Sequence, residues 1–316
     1  MHLWRWSHTA TSSSDAFKKL FENLANKLDI QYDYERWQKS PNERRDYRQT
    51  LECLRYHLDN SDFPKILEIG CGVGTWTVHL CNCCENITVL DICSKFAELT
   101  VNCITQLNIA RVSKIVGDFQ DPHTKISGRY DAIISIRAIE YMENKAFVLS
   151  RMYNLLNEGG IIFVVTKNPY SARAARSLIP FLSVLKAKIG FKNPWWALRY
   201  MIHYQNLAAK TQKAGFKNIN IYPVIISIIC PPSECMRRYA LPLSNMIFRS
   251  TYKKRLNPLF LPVIESYCII AQKPITSRRS AKRPKSPPIH SVLFHPKSSS
   301  QNHPQAANQP CKVPIS

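Results

Sequence analysis

The chain has 316 residues, 45% of them hydrophobic, and a formal net charge of +21. That length and composition suit a globular protein with one sizeable core plus additions. No apolar run approaches the ~18 residues that a membrane-spanning helix needs, and the longest, residues 224–230, stops at Pro231-Pro232.

In chain order, residues 1–13 are rich in Ser and Thr and predict a loose start without the apolar stretch of a signal peptide. Residues 14–28 predict a helix, because Phe17, Leu20, Phe21, Leu24 and Leu28 fall on one side. Residues 44–58 predict a second, from Tyr47, Leu51, Leu54 and Leu58. Between them lie Tyr32 and Tyr34. Residues 65–69 then predict a buried strand that breaks into Gly70-Cys71-Gly72-Val73-Gly74-Thr75, with a helix over 76–80. Strand-like runs follow at 86–90, ending in Asp91, and at 112–116, ending in Gly117-Asp118-Phe119. A fourth covers 131–136 and a fifth 161–166, with helical spacing over 145–156 between them. Asn157-Glu158-Gly159-Gly160 reads as the link into the fifth strand. A long insertion occupies residues 168–203, and a helix over 204–214 stops at Gly215. Strands alternating with helices predict an α/β fold, a parallel sheet wound on both faces.

The glycine turn carries the first chemical signal. Gly70, Gly72 and Gly74 remove side chains where a ligand lies against backbone. The helix after the turn offers free N–H groups to that ligand. A dinucleotide fingerprint needs G-x-G-x-x-G, but Thr75 holds the sixth position. The G-K-[ST] of a triphosphate loop is missing as well. Asp91, about twenty residues past the turn, suits the two hydroxyls of a ribose. Asp118 and Phe119 suit an adenine, one accepting from its amino group and the other packing on its ring.

LEIGCGVGTW, TVLD, VGDF, YDAIISIRAIEYME and LNEGGIIFVVTKN occur here in that order. On these motifs the chain resembles the class I S-adenosylmethionine-dependent methyltransferases, over roughly residues 14–275. The resemblance implies a doubly wound, seven-stranded, mostly parallel Rossmann-like sheet. Residues 265–272 would form its antiparallel last strand and residues 218–224 the hairpin partner. It implies S-adenosylmethionine as cofactor, held by Glu68, Gly70, Cys71, Gly72, Gly74, Asp91, Ile92, Asp118, Phe119, Ser135 and Ile136. It also implies an N-terminal helical lid over residues 14–62, with Tyr32 or Tyr34 touching the ligand or packing the lid. The methyltransferase domain would span 63–275, with the insertion at 168–203 shaping the acceptor site. Residues 276–316, rich in Ser, Pro, Lys and Arg, predict a disordered basic tail.

The acceptor side is less legible. Many small-molecule family members carry histidines where this chain has Arg137 and Tyr141. That departure weakens a histidine base and makes Arg137 a candidate fork for a carboxylate or phosphate. His203, near the insertion, is a candidate base, and Tyr170 is a similar candidate just after the fifth strand. The excess charge points to the same region. Residues 1–167 hold 20 basic and 20 acidic side chains, whereas residues 168–255 hold 15 basic and one acidic. Lys192-Asn193-Pro194-Trp195-Trp196 lies within it.

Basic residues beside tryptophan fit peripheral contact with an anionic membrane surface, a nucleic-acid partner, or a plain solvated face. Base methylation ranks low, because [DN]-P-P-[YFW] is missing after the fourth strand, where S-I-R-A stands. The expected acceptor is therefore a small molecule, amphipathic or anionic. RNA methylation and a catalytically silent docking protein remain the alternatives. His79, Cys81, Cys83 and Cys84 are too crowded for a usual zinc site, so no metal is expected there. Eleven cysteines without a small-scaffold rhythm suit reduced thiols in the cytoplasm.

Overall fold

The computed structural model describes residues 18–19, 21–23, 35, 37–59, 61–171, 201–228 and 234–276. The expected lid tyrosines Tyr32 and Tyr34, most of the insertion with Trp195 and Trp196, and the tail beyond residue 276 lie outside them. Of the first expected helix, residues 18–19 and 21–23 are described, and they are helical.

The elements, in order, are α1 (Pro41–Leu58), β1 (Phe63–Ile69), α2 (Thr77–Leu80), β2 (Cys84–Asp91), α3 (Ser94–Leu107), β3 (Arg111–Val116), β4 (Tyr130–Ile136), α4 (Lys145–Leu155), β5 (Leu156–Lys167), α5 (Tyr204–Lys213), β6 (Lys217–Ile226), α6 (Glu234–Thr251) and β7 (Ile264–Gln272). Seven strands form one sheet in the order β3-β2-β1-β4-β5-β7-β6. The first five pair in parallel, and β7 runs antiparallel between β5 and β6. The expected doubly wound sheet with a terminal hairpin is the one that forms.

Both faces of the sheet are apolar, as parallel strands covered by helices require. Along β4, Ala132, Ile134 and Ile136 face one layer and Ile133 the other. α1, α2 and α3 cover the first face, with Leu51, Leu54, Leu80 and Ile104 inward. Val148, Leu149 and Met152 of α4, Leu207 of α5 and Phe248 of α6 belong to the second layer. Each such side chain, fully buried, contributes about 1.5–3 kcal/mol.

Among the departures from the sequence reading, three have a clear physical cause. α1 starts at Pro41, three residues early, because the Ser40 hydroxyl accepts from the Glu43 N–H at 3.2 Å and Pro41 suits the first helical position. β5 starts at Leu156, so the Asn157–Gly160 stretch read as a link is strand. The Gly159 N–H donates to the Lys273 carbonyl at 2.9 Å, and the Lys273 N–H donates to the Gly160 carbonyl at 2.8 Å. α6 was not anticipated, since Pro242 stands inside it and proline normally breaks a helix. Burial of Phe248 and tethers such as the Ile228 N–H to Ser244 Oγ bond, 3.1 Å long, hold it in place.

Candidate active site

The sheet reverses its strand order between β1 and β4, and a crevice opens there at the carboxyl ends of the strands, where ligands of such folds bind. It is a cavity of about 300 Å³, at the lower end of small-ligand sites. Its floor is the glycine turn after β1. Its sides are Asp91 and Ile92 after β2, Asp118 and Phe119 after β3, and Ile136 and Arg137 at the end of β4.

The turn needs its glycines for different reasons. Gly70 has φ +76°, and a Cβ there would lie 2.3 Å from the Ala138 Cβ. Gly72 has φ +56° and nothing within 4 Å of a built Cβ, so the space beside it is open to a ligand. Gly74 does not line the cavity. A Cβ on it would meet Thr100 Oγ1 at 3.2 Å, so this glycine seats the turn against α3.

Asp91 organises the floor. Its Oδ2 accepts from the Gly72 N–H and its Oδ1 from the Cys93 N–H, both at 2.9 Å. Burial pushes its carboxyl above the usual range, and the N–H groups of Cys93, Gly72 and Ile92 oppose that shift. Two oxygens offer about four acceptor sites, so capacity for a ligand hydroxyl remains. The turn beyond β3 is fixed by Arg151, whose guanidinium stands 5.1 Å from the Phe119 ring and donates to the Phe119 carbonyl at 2.8 Å. Arg151→Ala should therefore weaken ligand binding about 3–10-fold, less than the ~1.5–3 kcal/mol of a charge-assisted bond because Arg151 acts on the ligand only through the turn. A fluorescence titration with cofactor checks this.

Glu68 and Ser135, both expected as cofactor contacts, are fully buried and outside the cavity wall. Glu68 instead accepts from the Thr77 hydroxyl at 2.6 Å and clamps α2 onto β1. Burial raises its carboxyl from 4.5 to about 8, with a smaller contribution from Asp91 and an opposing one from Thr77. The folded chain thus keeps a proton that the unfolded chain loses as pH rises through that window, so this group's contribution to stability falls between about pH 4.5 and 8. Glu68→Gln should flatten the decline in melting temperature across pH 5–8, by an amount worth on the order of a few kcal/mol.

Arg137 has φ +63°, rare for a side chain of its size. Its Nε donates to both Glu140 oxygens at 3.2 Å, and the Glu140 carboxylate also accepts from the Lys167 N–H at 3.2 Å. Burial works against the guanidinium's charge, but Glu140, Tyr141 and Glu265 outweigh it and raise the pKa. The ring of Tyr170 lies 4.8 Å from that of His203. Neither residue lines the cavity, and burial lowers the His203 pKa.

Several wall residues escaped the sequence reading. Trp37, Trp76, Phe96 and Gln120 line the cavity, together with Glu140 and Tyr141 from the segment after β4. Trp37 and Tyr47 pack on Trp76 at 5.7 and 5.3 Å, and Phe21 meets Tyr141 edge-on at 5.4 Å. Phe96 could have been found as the third residue of the helix after Asp91. Trp37 gave no signal, standing alone between two helical patterns. His79, set aside as a ligand, stands 2.9 Å from the Tyr47 hydroxyl through Nε2.

These features fit a nucleoside with a short charged tail. Gly72, Asp91, Asp118 and Phe119 all line the cavity, where open backbone suits such a tail, a carboxylate suits ribose hydroxyls and an acid beside an aromatic ring suits a base. A methyltransferase-domain family profile matches residues 37–221. Pavine N-methyltransferase of Thalictrum flavum subsp. glaucum is 28% identical over 120 residues, 37% of this chain and 33% of that one. Malonyl-[acyl-carrier protein] O-methyltransferase of Priestia megaterium is 31% identical over 151 residues, 47% of this chain and 50% of that one. The chain thus spans half or less of the length of these curated relatives. The solved structure of an S-adenosylmethionine-dependent methyltransferase from Thermotoga maritima shares the fold, with a TM-score of 0.51 and 19% identity over 81% of this chain and 98% of that one. With more than half of its residues inside the matched domain, the chain belongs to the family of class I S-adenosylmethionine-dependent methyltransferases.

Proposed function

We propose that this protein transfers the methyl group of S-adenosylmethionine to a small molecule that carries a carboxylate or phosphate. The observation that supports the anionic acceptor is Arg137. It lines the cavity, its Nε is engaged by Glu140, and its side chain keeps 23% exposure. A guanidinium at that place suits a planar anion, which it grips through two parallel bonds.

When bound, the cofactor supplies a methyl group already activated by its positive sulfur. The chain's share of the work is positioning and exclusion of water. Gly70 and Gly72 give close backbone approach, Asp91 accepts from the sugar, and Phe119 packs under the base. Phe21, Trp37 and Tyr141 close the apolar side and keep water out. A carboxylate oxygen is already a deprotonated nucleophile, so an acid acceptor needs no general base. The malonyl group named for one relative bears such a carboxylate. His203, whose lowered pKa keeps its imidazole neutral at pH 7, with Tyr170 beside it, would matter for an acceptor that must lose a proton.

The test is incubation with methyl-labelled S-adenosylmethionine and a fractionated cell extract. Label in the anionic small-molecule fraction supports the reading. Label in RNA, or in no fraction despite cofactor binding, contradicts it in favour of nucleic-acid methylation or a silent binding fold. Once an acceptor is in hand, Arg137→Lys should raise its KM about 10–100-fold, the effect of losing a bidentate charged pair. The cofactor dissociation constant should stay within about twofold, since the fork faces the acceptor.

A further inference from the structure

Away from the cofactor cavity, on the α1 side of the sheet, three metal-binding side chains converge. Cys53 and His57 stand four residues apart on α1, a spacing that places both on one helix face. Cys268 comes from β7 beneath them. One ligand atom from each lies within 4.8 Å of the others, and the two sulfurs are 3.9 Å apart. Both cysteines are fully buried. His57 Nε2 is buried with no hydrogen-bond partner among the described residues, although a buried ring nitrogen ordinarily finds one.

We infer that Cys53, His57 and Cys268 form a three-ligand zinc site that ties α1 to the sheet. Zinc–sulfur bonds of about 2.3 Å at tetrahedral angles place two sulfurs about 3.8 Å apart, which matches the observed separation. A disulfide needs about 2.05 Å, well short of that separation. Without metal the two thiols share a hydrogen bond; with it, two thiolates and a neutral imidazole balance a divalent cation, so the buried cluster stays neutral. Soft sulfur with one imidazole selects zinc over magnesium or calcium. On binding, each thiol releases its proton to solvent and no electron changes hands. The fourth position is left to a water. The neighbouring Tyr222 ring, 4.3 Å from His57, completes a largely apolar wall.

The site is tested on the full-length protein, reduced and stripped with a chelator, then titrated with zinc against a chromophoric competitor. One equivalent should bind. His57→Gln should weaken it at least about 100-fold, the upper end of what even an outer-sphere partner is worth. Cobalt in place of zinc should show a sulfur-to-metal charge-transfer band, roughly halved in Cys268→Ser. Zinc should raise the melting temperature of the wild type but not of His57→Gln. Binding of S-adenosylhomocysteine by each variant confirms that it folds, because the cofactor cavity uses none of the three residues. Cys84→Ala, outside the cluster, should bind zinc like the wild type. Absence of stoichiometric zinc in the reduced wild type would overturn the inference. So would affinity unchanged within threefold in His57→Gln, or a Cys53–Cys268 disulfide in metal-free protein as isolated.

Discussion

Asp91→Ala is expected to lower affinity for S-adenosylmethionine by at least about 100-fold while the chain stays folded. The carboxylate makes two 2.9 Å bonds to backbone N–H groups, one in the glycine turn and one at the start of α3. Removing it unpins the floor of the cavity and strips the acceptor for ribose hydroxyls. Each charge-assisted bond is worth roughly 1.5–3 kcal/mol, and tenfold in affinity is about 1.4 kcal/mol, so losing one or two of them reaches that factor. Asp91→Asn keeps one oxygen as an acceptor and should lose less, about 10–30-fold. Calorimetric titration of both variants separates the two effects. Equal affinities for wild type and alanine variant would mean that the ligand does not rest on this residue.

Gly70→Ala should do more damage, to fold as well as binding. The added Cβ would sit 2.3 Å from the Ala138 Cβ, and the residue holds φ +76°. The conformation costs an alanine about 1–2 kcal/mol, and overpacking adds about 1–3 kcal/mol. Relief requires the turn or the segment after β4 to shift, and both line the cavity. The expected result is a destabilisation of about 2–5 kcal/mol in urea unfolding, with cofactor binding below detection. Gly72→Ala is the informative comparison. Its Cβ meets nothing within 4 Å, so stability should fall by only the ~1–2 kcal/mol of its φ, while binding is blocked by a methyl in the ligand's space.

How far the sequence carried depends on the range of the interactions. The glycine turn, Asp91 and Asp118-Phe119 were legible because a strand that ends in a tight turn leaves a local pattern. The terminal hairpin β6–β7 became legible only through the family resemblance, since its two strands are separated by α6. Gly74 looked like a ligand contact because spacing alone does not say which glycine meets a ligand and which meets a helix. Glu68 looked like one because an acid before the turn has the right chemistry. Its neighbours bury it and turn it toward Thr77. α6 stayed hidden because Pro242 contradicts local propensity, and only tertiary packing overrides that. Trp37 and the Cys53–His57–Cys268 cluster were invisible for another reason. Cys53 and Cys268 are 215 positions apart, and nothing local to either marks the other. The crowded His79–Cys84 run drew attention by density, whereas the convergence of Cys53, His57 and Cys268 among the described residues leaves no local mark in the sequence.

The central claim, that the glycine turn with Asp91 and Phe119 cradles S-adenosylmethionine, is tested most directly by calorimetric titration of the wild-type chain. Titration with S-adenosylhomocysteine and, separately, with NAD would decide it. One-to-one binding of S-adenosylhomocysteine with a dissociation constant on the order of micromolar, and no heat from NAD, is the predicted result. No binding of S-adenosylhomocysteine, or equal affinity for NAD, would contradict it.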